Sequence, residues 1–511
     1  MSGFRFAGVD IARDRAHPPA PMITPPTTFK TIFCLSAALV VACDSGDTTK
    51  KSDAPAKVQE VPKAPEAPKA DVKADAKAEP VAEAPKTDTP AAPTGPAAAA
   101  GPAGAAYFAV DKKGVVRLDG GKFTLLAGSP NKLIKGLQIG GDGAVWVVGF
   151  EDILKLEGDK FKKVAKGGFS ELGSSIDEFA VTADGKIWAA TFKGVGMWDG
   201  KKWTVEEKAK IGAGDDLLQG IAVDKAGNVF VASTHKVHVK TGDAWKDIDL
   251  SKAGQTRQLF FEGMALAPDQ SVYALASAAL LRIGPGTDAV AAVPLGKDSI
   301  PSFGSLTMSA NGSIAAKNLD DVVGLPAGGS ARTWSSRNGK DFRADNVRGL
   351  AIDDSGRVWV GSDTGVTVLG PGDAKTEWPA GSVPELIGEV EGIVVAGSGP
   401  AELPASGEVR KGGLTGKLLR DGTPLANVEV EICPSPGMIF SKSPCADAAT
   451  KFSGKADDKG VWTFNDVPLG SYGIAVKIDD KWQITYGHSL GEGMKEGQVF
   501  DTGSIPLDSK K

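Results

Sequence analysis

The chain has 511 residues, 41% of them hydrophobic, and sets 58 basic against 63 acidic side chains for a net charge of −5. That length allows two or three domains with a large core, the charge balance removes any bulk drive toward nucleic acid, and 65 glycines suit a turn-rich all-β protein. Only four histidines and four cysteines are available for metal or nucleophilic chemistry.

The first feature in chain order is an apolar run from Thr31 to Ala42, preceded by Lys30. It is too short to span a bilayer comfortably and has the length of a signal-peptide core. It ends in Val40, Val41, Ala42 and Cys43, which resembles the bacterial lipobox. The resemblance implies that residues 1–42 are a signal peptide and that Cys43 becomes the lipidated first residue of an extracytoplasmic, membrane-anchored protein. A signal starting at Met22 has a more conventional length, so residues 1–21 read as an overlong gene start. Two or more acyl chains anchor stably, because each buried methylene contributes about 0.8 kcal/mol. The leaflet stays open.

Residues 43–104 carry that cysteine and then a stretch of Ala, Pro, Lys, Glu and Asp without an aromatic residue until Tyr107. Such a stretch buries too little apolar surface to offset ordering entropy, so the expectation is a disordered spacer. Its alternating Lys and acidic residues leave open a cell-wall-binding segment.

From residue 105 to 397 one short pattern recurs, best seen as NVRGLAIDDSGRVWVGSDTGVTVLG at Asn346 to Gly370. Its anchor falls at Gly136, Glu178, Gly220, Gly263, Ser305, Gly349 and Gly392, 42–44 residues apart, a period that signals a repeat architecture. Each copy predicts an apolar strand, an Asp/Gly turn, a second strand centred on an aromatic, and two weaker strands. The second-strand series is Trp146, Trp188, Phe230, Tyr273, Ala315 and Trp359; the outer-strand series is Phe123, Phe161, Trp203, Trp245, Val290, Trp334 and Trp378. Aromatics that keep time with a repeat point to packing between repeats, with a carbohydrate or peptide platform as the functional alternative. A small residue recurs on the first strand at Gln138, Ala180, Ala222, Ala265, Thr307, Ala351 and Val394, which suits close packing. The piece from Ala105 to Leu126 lacks a first strand, and Glu391 to Gly397 is a first strand alone, so the two ends predict one composite unit and a total of seven.

The residues GKIWAATFKGVGMWDGKKWTV at Gly185 to Val205 resemble the two-component regulator propeller repeat. The resemblance implies a seven-bladed β-propeller with a binding role; in that family the propeller is an extracytoplasmic sensory module fused to a kinase, and this chain has no kinase region. The fourth and fifth copies depart from the pattern, with Gln270 in place of the turn glycine and Ala315 in place of the aromatic.

Residues 398–412 read as a linker, and residues 413–511 change composition. The opening GLTGKLLRDGTPLANVEVEICPSP and the later GKADDKGVWTFNDVPLGSYGIAVKI resemble the carboxypeptidase regulatory-like, or transthyretin-like, domain, which implies a small β-sandwich. Asp457, Asp458, Lys459 and Gly460 serve a turn, since calcium needs more oxygen ligands at loop spacing. Cys34 lies in the signal core, whereas Cys433 and Cys445, twelve apart, are expected to form a disulfide outside the cytoplasm; two thiols without a nearby His are a poor metal site.

Of the histidines, His17 precedes the mature protein, His235 and His238 face opposite sides of a strand and read as exposed strand or loop residues, and His488 stands alone. No phosphate loop, nucleophile elbow or zinc motif is present. Streptogramin-inactivating lyases share the seven-bladed plan but use His with acidic residues at the central opening, and here only His235 lies near a blade edge. The purine-pathway hydrolase among transthyretin-like proteins carries several histidines and a C-terminal Tyr-Arg-Gly-Ser, whereas this chain ends PLDSKK. The expectation is therefore an all-β, non-catalytic, lipid-anchored envelope protein with no cofactor, no metal and no nucleic acid. A protein or glycan ligand is expected on its propeller loops. The alternatives are a sensory or scaffold subunit of a membrane complex and, more remotely, a propeller lyase or hydrolase.

Overall fold

The computed structural model describes residues 104–507 except 132, 255–258, 278, 286–288, 296–303, 319, 438–442 and 492; the signal peptide, Cys34, Cys43, His17 and the spacer lie outside these residues. Among the described residues no helix is long and apolar enough to cross a membrane. The described chain is all-β and forms four-stranded sheets, every one of them antiparallel from residue 106 to 395 apart from an isolated parallel bridge between Ala127 and Lys160, an arrangement consistent with a propeller.

Six of those sheets are each built from one copy of the repeat, in simple up-and-down order. A further sheet joins the two ends: Val390–Val395 pairs with Ala106–Val110, followed by Gly114–Asp119 and Lys122–Leu125. The first strands pack side by side in a circuit. Leu218–Val223 contacts Ile176–Val181 and Phe261–Leu266, Leu306–Met308 lies between Phe261–Leu266 and Val347–Ile352, and Val390–Val395 touches both Val347–Ile352 and Gly136–Ile139. The Gly141 amide donates to the Val181 carbonyl at 2.7 Å and completes it.

Adjacent sheets share one orientation, because their first-to-second turns touch: the Lys225 amide donates to the Gln270 amide oxygen at 2.8 Å, and the Asn311 amide to Asp354 at 2.8 Å. These turns define one end of the circuit, the turn end. The loops joining second to third strands, and fourth strands to the next sheet, emerge at the other, the loop end.

The two periodic series of the sequence are one packing device. Across the first and second strands Gln138 faces Trp146, Ala180 faces Trp188, Ala222 faces Phe230, Ala265 faces Tyr273, Thr307 faces Ala315 and Ala351 faces Trp359. In the composite sheet Val394 faces Tyr107. A small first-strand residue leaves room for the ring opposite, and Trp146, Phe230, Trp359 and Tyr107 are buried. In the fifth copy, where small faces small, the core around Ala315 draws bulk from Trp334 and Phe342. Gln270 closes its turn at φ 68°, a left-handed conformation uncommon without glycine, and its side chain bridges to Lys225.

Residues 398–410 have no strand and lie along the side of the ring. The Arg357 guanidinium donates to the carbonyls of Ser398 at 2.5 Å and Pro400 at 3.0 Å, Leu403 packs into the core shared by Phe108 and Trp378, and the Trp378 indole donates to Pro404 at 2.9 Å. The Arg410 amide then reaches Gly381 at 3.1 Å. Because Arg357 follows a first-to-second turn and Gly381 follows a fourth strand, the segment climbs from the turn end to the loop end.

It delivers the C-terminal unit there. Lys411–Arg420 pairs with Val461–Pro468 and, in parallel, with Val499–Leu507; Glu429–Cys433 lies between Phe452–Lys455 and Tyr472–Ile478, which pairs with Lys481–Leu490. Leu414, Leu418, Trp462 and Ile505 from the first sheet meet Val430, Ile432, Ile474 and Val476 from the second in one core. Asp421 and Gly422 both have positive φ, as a tight two-residue hairpin turn requires. Cys433 and Cys445 are disulfide-bonded, with Cα atoms 5.8 Å apart.

Candidate ligand-binding face

Each first strand begins at the loop end, and the residue just before the repeat anchor is there Lys135, Asp177, Gln219, Glu262, Gly304, Arg348 or Glu391. The anchor is glycine or serine in six copies; at Gly136, Gly220 and Gly349 a side chain would crowd the neighbouring sheet, and a Cβ on Gly220 would lie 2.8 Å from the Met264 amide nitrogen. In the second copy it is Glu178. The loop end thus brings charge of both signs to the mouth of the ring.

The charges are not evenly matched. On one side Arg348 pairs with Asp363 and, at 3.3 Å, with Glu389, while the Lys317 ammonium donates to the Val347 carbonyl at 2.7 Å and is held down at about 8 by burial and by Arg348. On the other side Asp177 and Glu178 stand together. Both side chains are accessible to the mouth, yet the protein walls around it limit their hydration and push Glu178 up to about 7, and the Asp177 charge adds to it. Asp177 is raised in the same way, against a 3.2 Å hydrogen bond from Ser175 and the charges of Lys135 and Lys208. Glu391 is lifted to about 7 by burial and by Asp111 and Glu389, with Arg348 and Lys135 opposing.

The loops around this mouth expose large apolar side chains. Leu133, Phe150, Phe169, Phe192, Leu217 and Phe260 are each between 41% and 62% accessible, and every one lies in a second-to-third or fourth-to-first loop. Phe150 and Phe169 meet at 6.2 Å between ring centroids, the Lys208 ammonium sits 4.5 Å above Phe192, and Phe260 stands edge-on to His235 at 4.9 Å. The repeat pattern draws attention to the timed aromatics, which are core residues; these phenylalanines fall between them. Their signal is a lone Phe beside Gly or a charge at a strand end, as in VVGFED, KGGFSE and ATFKGV.

The C-terminal unit covers a different sector of the same end. Ala449 donates its amide to Asp345 at 2.6 Å, Asn346 bonds Ser435, and Ile387 from the ring packs into the C-terminal core. Between the two units lies a cavity of about 420 Å³ lined by Arg343, Val366, Lys375, Trp378, Pro434 and Tyr472. The second Asp345 carboxylate oxygen is buried without a hydrogen-bond partner, and burial lifts this carboxyl to about 6, with Asp363 adding to it and the Ala449 and Thr450 amides opposing. The folded chain therefore holds this proton more tightly than the unfolded chain, whose carboxyl lies near 3.8. The resulting stability is fully present below that value and is lost as pH rises through 6. Asp345→Asn removes the charge and keeps the acceptor. It is expected to raise the unfolding free energy by on the order of 2 kcal/mol at pH 8 and to change little at pH 4, read by urea unfolding at the two pH values.

The histidines correct one expectation. His238 is not exposed: it is buried, with Nδ1 2.8 Å from Asp247 and Nε2 3.2 Å from the Ser233 hydroxyl, and burial depresses its pKa while Asp247 works against that. His235 sits half-buried in the bend ahead of Val237–Thr241, whereas His238 lies on that strand and points into the core, where carboxylate and hydroxyl satisfy both nitrogens. His235 lies at the loop end, with Nδ1 3.4 Å from the Leu259 carbonyl, apart from Asp177 and Glu178 in sequence and sheet. His488 lies on Lys481–Leu490, and its side chain is outside the described residues. Among the described residues no group of three His, Cys, Asp or Glu side chains is disposed to hold a metal ion.

No family model and no curated protein matches the chain. Solved structures similar to it include virginiamycin B lyase from Staphylococcus aureus, at 12% identity and a TM-score of 0.38 over 49% of this chain and 85% of that one. Another is the extracellular domain of a hybrid two-component system of B. thetaiotaomicron, at 12% identity and a TM-score of 0.38 over 73% of this chain and 55% of that one. A third is PorZ, a surface component of the type-IX secretion system of Porphyromonas gingivalis, at 13% identity and a TM-score of 0.36 over 73% and 55%. The chain spans about half the length of the last two. None of these likenesses carries a functional argument.

Proposed function

We propose that the chain is a non-catalytic binding protein of the cell envelope, lipid-anchored through Cys43, in which a seven-bladed β-propeller and a C-terminal β-sandwich together present one end to a protein partner. The observation that supports this most directly is the set of six accessible Leu and Phe side chains gathered on the loops of one end. Apolar side chains that recur on neighbouring loops, around a charged centre, have the composition of a recognition surface rather than of scattered exposure. The loops can also vary without disturbing the sheets that carry them.

The test is capture of solubilised envelope proteins by the mature chain, repeated with Phe169→Ser, Phe192→Ser and Phe260→Ser combined. These side chains are accessible, so thermal unfolding should change little. Partner affinity is expected to fall at least about thirtyfold, as for loss of an interface hot spot of about 2 kcal/mol; a partner held equally well by the triple variant would remove this reading. Anchoring is tested separately: Cys43→Ala is expected to abolish incorporation of labelled palmitate and to release the protein from the membrane fraction.

A further inference from the structure

We infer that the segment bound at the loop end is an extended stretch of the partner protein carrying a cationic side chain flanked by apolar ones, the cation entering the mouth of the ring at Asp177 and Glu178 and the apolar residues lying on Phe150, Phe169 and Phe192. This rests on the reading of the loop end as a protein-binding face and names the chemistry of what it takes.

The placement follows from the register. Ile176, the first residue of its strand, faces Thr191, so Phe192 continues directly from the residue opposite the start of the strand that carries Asp177 and Glu178. Phe169 lies in the loop leading into that strand, and Phe150 packs against it at 6.2 Å. Two adjacent carboxylates are thus bordered by three accessible rings.

Charge selects the occupant. Among the described residues neither Asp177 nor Glu178 makes an ion pair, and Lys208, whose charge reaches Asp177, has its ammonium over the Phe192 ring. Both carboxyls are accessible at the mouth; the charges of Lys135 and Lys208 oppose the rise of Asp177 without forming a salt bridge to it, and Glu178 feels only the like charge of Asp177, so the pair gains from receiving a further cation. An acidic segment meets repulsion here. A hydroxyl-rich glycan meets phenylalanines, which offer stacking area and no hydrogen bond. The face is also continuous with an interface already in use, since the sandwich is seated on the neighbouring sector of the same end through Asp345 and Asn346.

The test uses the full mature chain and three fluorescein-labelled decapeptides with the same Phe and Leu residues and Lys, Gln or Glu at two central positions. The Lys peptide is expected to bind at least about tenfold more tightly than the Gln peptide, and the Glu peptide most weakly. Glu178→Gln with Asp177→Asn is expected to erase that preference while leaving binding of the Gln peptide unchanged, and Phe169→Ser with Phe192→Ser to weaken all three. The inference is overturned if no peptide binds, if the Gln or Glu peptide binds as well as the Lys peptide, or if the carboxylate variant keeps the preference. Those outcomes leave the protein-binding face standing as long as the phenylalanine variants still lose the captured partner; if they keep it, both readings fall together.

Discussion

Replacing Trp359 with alanine is expected to lower the unfolding free energy of the ring by about 3–5 kcal/mol, the usual cost of emptying a buried aromatic site. The side chain is fully buried, faces Ala351 across its sheet, and lies with Phe108 at 6.2 Å and Trp378 at 6.3 Å between ring centroids. Phe108 belongs to the composite sheet, so the cavity would open between two sheets and neither could collapse into it without moving the other. The indole nitrogen also donates to Asp353 at 3.0 Å, a buried carboxylate that holds Arg357 at 2.7 Å and the amides of Ser355 and Arg357. Trp359→Phe separates the two effects: it keeps most of the packing and removes the donor, and should cost about 1–2 kcal/mol. Chemical unfolding of both variants gives the comparison, and a loss below about 1 kcal/mol for the alanine variant would contradict this account of how the sheets are joined.

Ending the chain at Leu386 is expected to abolish cooperative folding of the ring, whereas ending it at Pro404 should preserve it. The shorter chain loses Val390–Val395, the first strand of the composite sheet, and with it the partner of Ala106–Val110 and the contacts to Val347–Ile352 and Gly136–Ile139. It exposes strand edges on both sides of the break and uncovers Phe108, Ile393's neighbours and Trp378 in one core. The longer chain keeps that strand, the packing of Leu403 and the Trp378 hydrogen bond to Pro404, and lacks only the C-terminal unit. Limited proteolysis and calorimetry of the two truncations would decide. A cooperative transition in the shorter chain would mean that the composite sheet is not what closes the circuit.

The fold was legible in the sequence where one residue type had to recur for one reason. The anchors at Gly136, Gly220 and Gly349 face a neighbouring sheet, and the aromatics opposite Ala222 and Ala351 need a small residue across from them, so both series keep the period of the repeat. What each series faced was not legible, because cross-strand register depends on turn geometry as much as on the residues. The binding face was harder still. Phe150 and Phe192 share one repeat position, each fourteen residues after its anchor, but Phe169 and Phe260 fall elsewhere in the period, and the meaning of the set lies in the antiparallel order that carries all four loops to one end. His238 was misread for a related reason: His235 lies in the bend before Val237–Thr241, so strand alternation does not relate the two, and Asp247 and Ser233, which satisfy His238, come from the neighbouring strands Ala244–Asp247 and Val229–Ser233.

The strand Ala106–Val110 begins at the turn end and is hydrogen-bonded along both sides, to Val390–Val395 and to Gly114–Asp119. A pull applied at Ala106 along the strand axis therefore acts on both ladders at once. Their hydrogen bonds are loaded together, in shear, instead of opening one after another like a zip. One of the two flanking strands comes from the far end of the repeat region, so the load is shared between the first and last parts of the circuit. The turn end is thus the end at which the ring resists an axial load along a whole strand at once.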